Sequence, residues 1–128
     1  MTFRTLRLFI IALAAVLTPS LATAQGAIVA QSDLDTPPRL ASQEMTARIL
    51  ARSYPPALKR QGITGNVELE FVVDESGRVE GPSVKVVEST NPELADAAKS
   101  VIEEIRFRPA QAGGKAVRTV VTLPITYK

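Results

Sequence analysis

The chain has 128 residues, 45% hydrophobic and 22% charged, which is typical of one globular domain with a single core. It has no cysteine and no histidine, which excludes thiolate nucleophiles, thiolate or imidazole zinc sites, serine–histidine catalysis and disulfide bonds. The formal net charge of +2 comes from Arg4 and Arg7, because the residues from Gln25 onward balance 13 acidic with 13 basic side chains. The sequence therefore predicts no nucleic-acid partner.

The N-terminus has the pattern of a secretory signal. The two arginines precede an unbroken apolar run, Leu8–Leu17, and Ala22-Thr23-Ala24 is a small-residue cleavage site. A membrane-spanning helix needs about 20 apolar residues, which is longer than this run. We therefore predict a cleaved signal peptide over residues 1–24 and a periplasmic location. The alternative is an uncleaved inner-membrane anchor with the rest of the chain on the periplasmic side.

The next segments predict a leader and two short helices. Residues 25–41 show little periodicity and are predicted as a flexible leader before a domain that covers residues 42–128. Ser42 is a suitable N-cap for a helix over residues 42–52, whose expected buried face is Met45, Ile49 and Leu50. Tyr54-Pro55-Pro56 ends it, and a second short helix is expected up to Gln61, with Gly62 as its C-cap.

A β-hairpin is predicted after these helices. In residues 65–74, apolar side chains recur at alternate positions on one face and the other face is mostly polar; the apolar positions are Val67, Leu69, Phe71 and Val73, which alternate with Glu68, Glu70 and Val72. Asp74-Glu75-Ser76-Gly77 has the composition of a turn, and Val79–Ser89 is predicted to return as the second strand. Gly81-Pro82 interrupts that strand and indicates a bulge or an exposed edge.

A long helix and a final strand complete the pattern. Asn91 is a good N-cap, Pro92 suits the first helical position, and Pro109 prevents continuation. The apolar face repeats at helical spacing through Leu94, Ala97, Ala98, Val101, Ile102 and Ile105. Residues 117–127 then alternate as a strand, and Pro124, which has no N–H, favours an edge position for it.

The predicted order is therefore helix, strand, strand, helix, strand. Antiparallel strands with one main helix packed across them give a two-layer α+β domain with a small sheet of about three strands.

Charge is unevenly distributed along the predicted domain. Residues 66–104 are mainly acidic, whereas residues 39–60 and 105–128 are mainly basic. These blocks either complement one another within the fold or form an oriented field that steers a partner.

Several short motifs occur in a defined order between these elements, and most shape the backbone. They are Tyr54-Pro55, Gly65-x-Val67, Asp74-x-x-Gly77-x-Val79, Phe107-x-Pro109, Gly114-Lys115 and Pro124-Ile125. In this order, over about residues 51–127, the chain resembles the C-terminal domain of the TonB family, periplasmic modules that engage outer-membrane transporters.

The resemblance implies a docking module and no enzyme, cofactor or metal site. In the family the last strand leaves a sheet edge open, and a short transporter peptide, the TonB box, adds to it as a strand. The contact candidates carried over are Tyr54, Pro55, Arg118, Val120 and Thr122. The alternative for Tyr54 is a core or turn aromatic.

The sequence also departs from the family pattern. No glutamine adjoins Tyr54-Pro55, and Ile105 stands where an aromatic residue commonly precedes the Phe-x-Pro motif. Only about 30 residues separate Ala24 from Tyr54, a reach of roughly 100 Å if fully extended. This argues against energy transduction by the chain alone, although an anchored chain would be expected to associate with ExbB–ExbD. The alternative function is a scaffolding domain that forms a homodimer through its edge strand.

Two other patterns are weaker. Glu68 and Glu70 share a strand face and could in principle perform acid–base chemistry, but a solvated face is the simpler interpretation because no pocket-forming loop accompanies them. Gly113-Gly114-Lys115 lacks the spacing of a phosphate-binding loop and is interpreted as a turn.

Overall fold

The computed structural model describes residues 26–128, and the predicted signal peptide lies outside the described residues. The helices are α1 (Gln43–Ser53), α2 (Pro56–Arg60) and α3 (Pro92–Val101). The strands are β1 (Arg39–Leu40), β2 (Gly65–Val73), β3 (Lys85–Ser89), β4 (Phe107–Arg108), β5 (Ala110–Ala112), β6 (Lys115–Val117) and β7 (Thr119–Tyr127). Within this described range, no helix is both long and apolar enough to cross a membrane.

The main sheet has three antiparallel strands in the order β3-β2-β7. Strand β2 is central, and β7 pairs with it along its whole length. Two ribbons of two strands each, β1–β4 and β5–β6, complete the β structure. The predicted small antiparallel sheet and the α-β-β-α-β order of the main elements are confirmed.

The core lies between this sheet and the helices. The alternating apolar residues of β2 are at most 1% exposed, as the period of two predicts; they are Val67, Leu69, Phe71 and Val73. They face Leu94 and Ala98 of α3, both fully buried, and α1 packs beside α3 in the same layer. The domain therefore has two layers, as predicted.

The first helix begins as predicted, but its buried face is rotated. The Ser42 hydroxyl accepts a hydrogen bond from the Met45 N–H at 3.1 Å, which caps α1. Thr46 and Ile49 are buried, whereas Met45 is 53% exposed, so the assignment of Met45 to the buried face is wrong. At about 100° per residue, Met45 falls at the margin of a face centred between Thr46 and Ile49.

The start of the return strand and the end of the long helix differ from the prediction, whereas the strand ends at Ser89 and the helix begins at Pro92 as predicted. The residues at Gly81-Pro82 form a 3₁₀ turn (Gly81–Ser83), so the return strand is reduced to an isolated bridge at Val79 and the separate strand β3. The bulge of this pairing lies instead between Glu68 and Leu69. The α-helical part of the long helix ends at Val101, and a 3₁₀ turn (Ile102–Glu104) continues it.

The segment before α1, predicted as a flexible leader, follows the surface of the domain over residues 26–41. Its second half runs antiparallel to residues 106–111: the Ala41 N–H donates to Arg106 at 2.9 Å, and the Gln111 N–H donates to Thr36 at 2.9 Å. These bonds join main-chain groups, so no side-chain pattern in the sequence reports them.

The charge blocks complement each other inside the fold, at least in part. Arg52 pairs with Glu104 at 3.2 Å, and Arg118 pairs with Glu80 at 2.7 Å. Each pair joins a basic block to the acidic central block. The Arg52 pair is exposed and contributes little, while the Arg118 pair is 12% and 20% exposed and fixes one end of β7.

Candidate peptide-docking edge

Strand β7 is an edge strand of the main sheet. One side pairs with β2, from Val73↔Thr119 to Gly65↔Tyr127. On the other side, among residues 26–128, no strand pairs with β7, and one isolated parallel bridge, Ile28↔Arg118, lies at the residue just before the strand. From Val120 to the end of the strand, this side is therefore open to a further strand.

The direction of the backbone groups in β7 follows from its partner. The carbonyl oxygens of Asn66 and Val72 accept hydrogen bonds from the β3 side, from Thr90 at 3.0 Å and Glu80 at 2.9 Å. The main-chain N–H and C=O groups of the even-numbered residues of β2 therefore point toward β3, and those of the odd-numbered residues point toward β7. In the register of this pairing, the main-chain groups of the odd-numbered residues of β7 form hydrogen bonds with β2, and those of the even-numbered residues point outward from the sheet edge.

Pro124 occupies one of these outward positions. Its missing N–H therefore removes no hydrogen bond between β7 and β2, and the edge position predicted from this proline is confirmed. The open stretch offers the outward N–H groups of Val120, Thr122 and Thr126, interrupted once at Pro124.

The two faces of the edge differ in polarity. On the helix side, Ile125 and Tyr127 are buried and Val121 and Leu123 are half-buried against the core. On the outer side, the side chains near the open stretch are small and mostly exposed: Thr122, Pro124 and Thr126. An added strand would therefore meet apolar neighbours on one face and polar neighbours on the other.

A pocket of about 320 Å³ adjoins the Tyr127 end of β7. Leu50 and Tyr54 line it from the α1 side, and Thr126 and Tyr127 line it from β7. The Tyr54 ring meets the Tyr127 ring edge-on at 5.2 Å, and its hydroxyl donates to the Ile63 carbonyl. Tyr54 is thus a core aromatic, 9% exposed, whose ring also forms one wall of the pocket.

Tyr127 is held in place at the same end. Its hydroxyl lies 2.8 Å from the Ser53 hydroxyl at the end of α1. Burial raises the pKa of Tyr127, and the hydrogen bond with Ser53 offsets part of that effect. The phenol therefore stays neutral at physiological pH and ties the last strand to the first helix.

The five predicted contact residues are not brought together. Val120 and Thr122 lie on the open stretch, whereas Tyr54 and Pro55 lie near the Tyr127 end. Arg118 lies at the opposite end, roughly 30 Å away at about 3.3 Å per strand residue. It is already engaged within the chain: its guanidinium forms two hydrogen bonds with Glu80, at 2.8 and 2.7 Å, and these raise the pKa of Arg118.

The predicted backbone motifs are concentrated away from the edge, around the β2–β3 connection. The Asp74 carboxylate accepts from the Ser76 N–H at 2.9 Å, the Ser76 hydroxyl at 2.6 Å and the Arg78 N–H at 3.0 Å. Burial acts to raise the pKa of Asp74, but these hydrogen bonds outweigh it, so the pKa lies below its ordinary value.

Gly77 brings this turn against Phe107. Its φ of 83° suits glycine, and the Phe107 N–H donates to the Gly77 carbonyl at 2.9 Å. The Phe107 ring then packs on Phe71 with ring centres 5.6 Å apart. Pro109 also lies close to Gly77. The remaining predicted motif residues are placed elsewhere: Gly65 and Val67 begin β2, and Gly114 lies in the β5–β6 turn with a φ of 77°.

One residue of the edge was missed in the sequence. Thr126 points outward, is exposed and borders the pocket. The alternation that links Val120 to Thr122 reaches Thr126 if it is continued past Pro124, so the signal was present.

The structure brings together little that suggests other chemistry. Glu68 and Glu70 are half-buried on the outer face of the sheet, with Glu88 opposite Glu68. Within residues 26–128, no three candidate metal-ligating side chains cluster.

One protein family matches more than half of the chain. The family of the Gram-negative bacterial TonB protein C-terminal domain matches residues 51–128. A solution NMR structure of a Pseudomonas aeruginosa TonB C-terminal domain is 29% identical, with a TM-score of 0.49, over 59% of this chain and 75% of that one. A Helicobacter pylori TonB C-terminal domain is 25% identical, with a TM-score of 0.41, over 68% of this chain and 96% of that one. No curated protein matches the chain.

Proposed function

Because the chain belongs to the family of Gram-negative bacterial TonB C-terminal domains, we propose that it binds an extended peptide as an added strand on the open edge of β7. The proposed source of the peptide is the TonB box of an outer-membrane transporter, in TonB-dependent transport. The observation that supports this most directly is the row of outward N–H groups at Val120, Thr122 and Thr126. Main-chain hydrogen bonds would supply the affinity.

The two faces of the edge define the peptide. Side chains on the helix side of the added strand would lie against Val121 and Leu123 and reach the pocket beside Tyr127. Those on the other side would lie over Thr122 and Thr126 and face water. We therefore expect a peptide of about eight residues, the length of the open stretch, with apolar side chains at alternate positions.

Pro124 favours a separate peptide over self-association. If β7 paired antiparallel with the β7 strand of a second copy, each copy would bring its own Pro124 into the new ladder. Two donors would then be missing instead of one. A scaffolding domain that forms a homodimer through this edge remains the alternative function, and sedimentation of the protein at rising concentration distinguishes the two.

The proposed location is the periplasm, with the signal peptide removed after Ala24. Intact-mass measurement on fractions of a Gram-negative host tests this. A soluble protein that begins at Gln25 supports a free docking module. A protein that begins at Met1 in the inner membrane contradicts the cleavage and supports an anchored form that associates with ExbB–ExbD.

A peptide titration followed by NMR tests the binding mode. With synthetic TonB-box peptides we expect the largest amide shifts at Val120, Thr122 and Thr126. Thr122→Pro removes an outward donor and is expected to weaken binding at least tenfold, the worth of about one hydrogen bond.

The matched control is Val86→Pro, on the opposite edge of the sheet. Val86 is opposite Leu69, whose backbone points toward β7, so the N–H of Val86 also points away from β2. This variant is expected to bind as the wild type does. Equal losses in both variants, or shifts confined to β3, would contradict the proposed edge.

A further inference from the structure

The first described residues lie against the same strand that the peptide would use. In the segment Gly26–Val29, here the cap segment, the Val29 N–H donates to the Arg118 carbonyl at 2.8 Å. The Val29 carbonyl accepts from the Thr119 hydroxyl at 3.1 Å. An isolated parallel bridge joins Ile28 to Arg118, the residue just before β7, so the contact lies in line with the outward side of that strand.

We propose that the cap segment is an intramolecular competitor that closes the Arg118 end of the docking edge. This inference rests on the proposed function. The Arg118 carbonyl is the first outward acceptor of the edge, and Val29 already uses it. A peptide confined to residues 120–126 loses that acceptor, whereas one that extends to Arg118 must displace the cap segment.

The Arg118 side chain also binds the cap segment. Its Nη1 donates to the Gly26 carbonyl at 2.7 Å, while Nε and Nη2 hold Glu80. The guanidinium is therefore fixed by an ion pair that is largely shielded from water. Its hydrogen bond to Gly26 needs no further loss of side-chain conformational entropy. The residue predicted to contact a partner instead contacts the chain's own N-terminal side.

The cap segment is attached weakly enough to be displaced. One main-chain hydrogen bond, to Arg118, and the two side-chain hydrogen bonds from Arg118 and Thr119 hold it, and Ile28 is 48% exposed, so little apolar surface is buried. Beyond Ala30 the chain leaves the strand through a 3₁₀ turn (Gln31–Asp33). The main-chain hydrogen bond alone lowers the affinity of a competing strand by roughly tenfold, the worth of one net hydrogen bond.

A pair of proline substitutions in the full chain tests this. Val29→Pro removes the N–H that bonds to Arg118. Ala30→Pro is the matched control, because Ala30 has a φ of −66°, as proline requires, and its N–H makes no main-chain hydrogen bond within the described residues. Dye-labelled synthetic TonB-box peptides are titrated by fluorescence anisotropy, and circular dichroism checks that each variant is folded.

We expect Val29→Pro to bind the peptides roughly tenfold more tightly than the wild type and Ala30→Pro to match the wild type. Equal affinity in all three proteins would contradict the proposed competition by the cap segment, but it would not contradict peptide binding at the β7 edge. No binding by any of them, with Val29→Pro folded, would overturn the docking edge itself. NMR gives a second measurement: in the wild type, saturating peptide is expected to shift the Val29 amide, and an unchanged Val29 signal would contradict displacement.

Discussion

The close approach of Gly77 to Phe107 gives a prediction whose size follows from the geometry. Gly77 combines a left-handed φ with a neighbour on the side where a Cβ would stand. A Cβ there would collide with the Phe107 carbonyl oxygen and lie 3.0 Å from its carbon. Gly113 has a similar φ, 60°, but nothing lies within 4 Å of its Cβ position. The two glycines therefore separate the conformational cost of alanine from the steric one.

For Gly113→Ala we expect a loss of about 1 kcal/mol, the cost of placing alanine in the left-handed region. Gly77→Ala has the same cost and must also separate the turn from Phe107. That breaks the hydrogen bond from the Phe107 N–H to the Gly77 carbonyl, with a further loss of about 2 kcal/mol. The expected total of about 3 kcal/mol is a large part of the stability of a small domain.

Urea unfolding followed by circular dichroism measures both variants, since the chain has no tryptophan to report by fluorescence. Equal destabilisation by Gly77→Ala and Gly113→Ala would refute the argument, because only the steric contact distinguishes the two sites. A normal midpoint with a changed slope would indicate an altered denatured state instead.

Three further predictions follow from the last strand and the turn. Val121→Pro removes an N–H donor that faces β2 and should lower the free energy of unfolding by about 3 kcal/mol, whereas Thr122→Pro removes an outward donor and should lower it by less than about 1 kcal/mol. Equal losses in urea melts would refute the assignment of odd-numbered residues of β7 to the β2 side. Because the folded pKa of Asp74 is lowered from 3.8, the ionised carboxylate contributes to the free energy of unfolding above that pH, and the contribution is lost as the pH falls through the folded pKa. In urea melts at falling pH, Asp74→Asn should therefore lose less stability than the wild type does. Because the folded pKa of Tyr127 is raised from 10.0, the neutral phenol contributes to the free energy of unfolding below pH 10, and the contribution is lost as the pH rises through the folded pKa. Tyr127→Phe should remove this loss of stability at alkaline pH. The same loss in the variant and the wild type would contradict the prediction.

The long elements were predictable because each has a full hydrophobic period. Strand β2 has four apolar residues at alternate positions, and α3 combines an N-cap at Asn91 with an apolar stripe, so β2 lies, and α3 begins, where the sequence predicts. Strands β1, β4, β5 and β6 have two or three residues each, too few to show any period. Their existence depends on main-chain hydrogen bonds between segments distant in sequence.

The site was predictable in part for the same reason. The alternation of β7 and the position of Pro124 predict an edge, and the structure has one there. The engagement of Arg118 depends on Glu80, 38 positions earlier, and on Gly26, 92 positions earlier. Nothing local in the sequence distinguishes a basic residue that awaits a partner from one that is already paired.

The attachment of residues 26–41 along the domain has a mechanical consequence. Once this segment and α1 belong to the folded body, only residues 18–25 separate the apolar run Leu8–Leu17 from it, about 30 Å at full extension. If that run stayed in a membrane, the domain would be held close to the bilayer until tension peeled the segment away. Its contact with Arg118, the first in line from the N-terminus, would break first, and about 16 freed residues would add roughly 50 Å of reach. Lengthening the tether and uncovering the end of β7 would then be a single event.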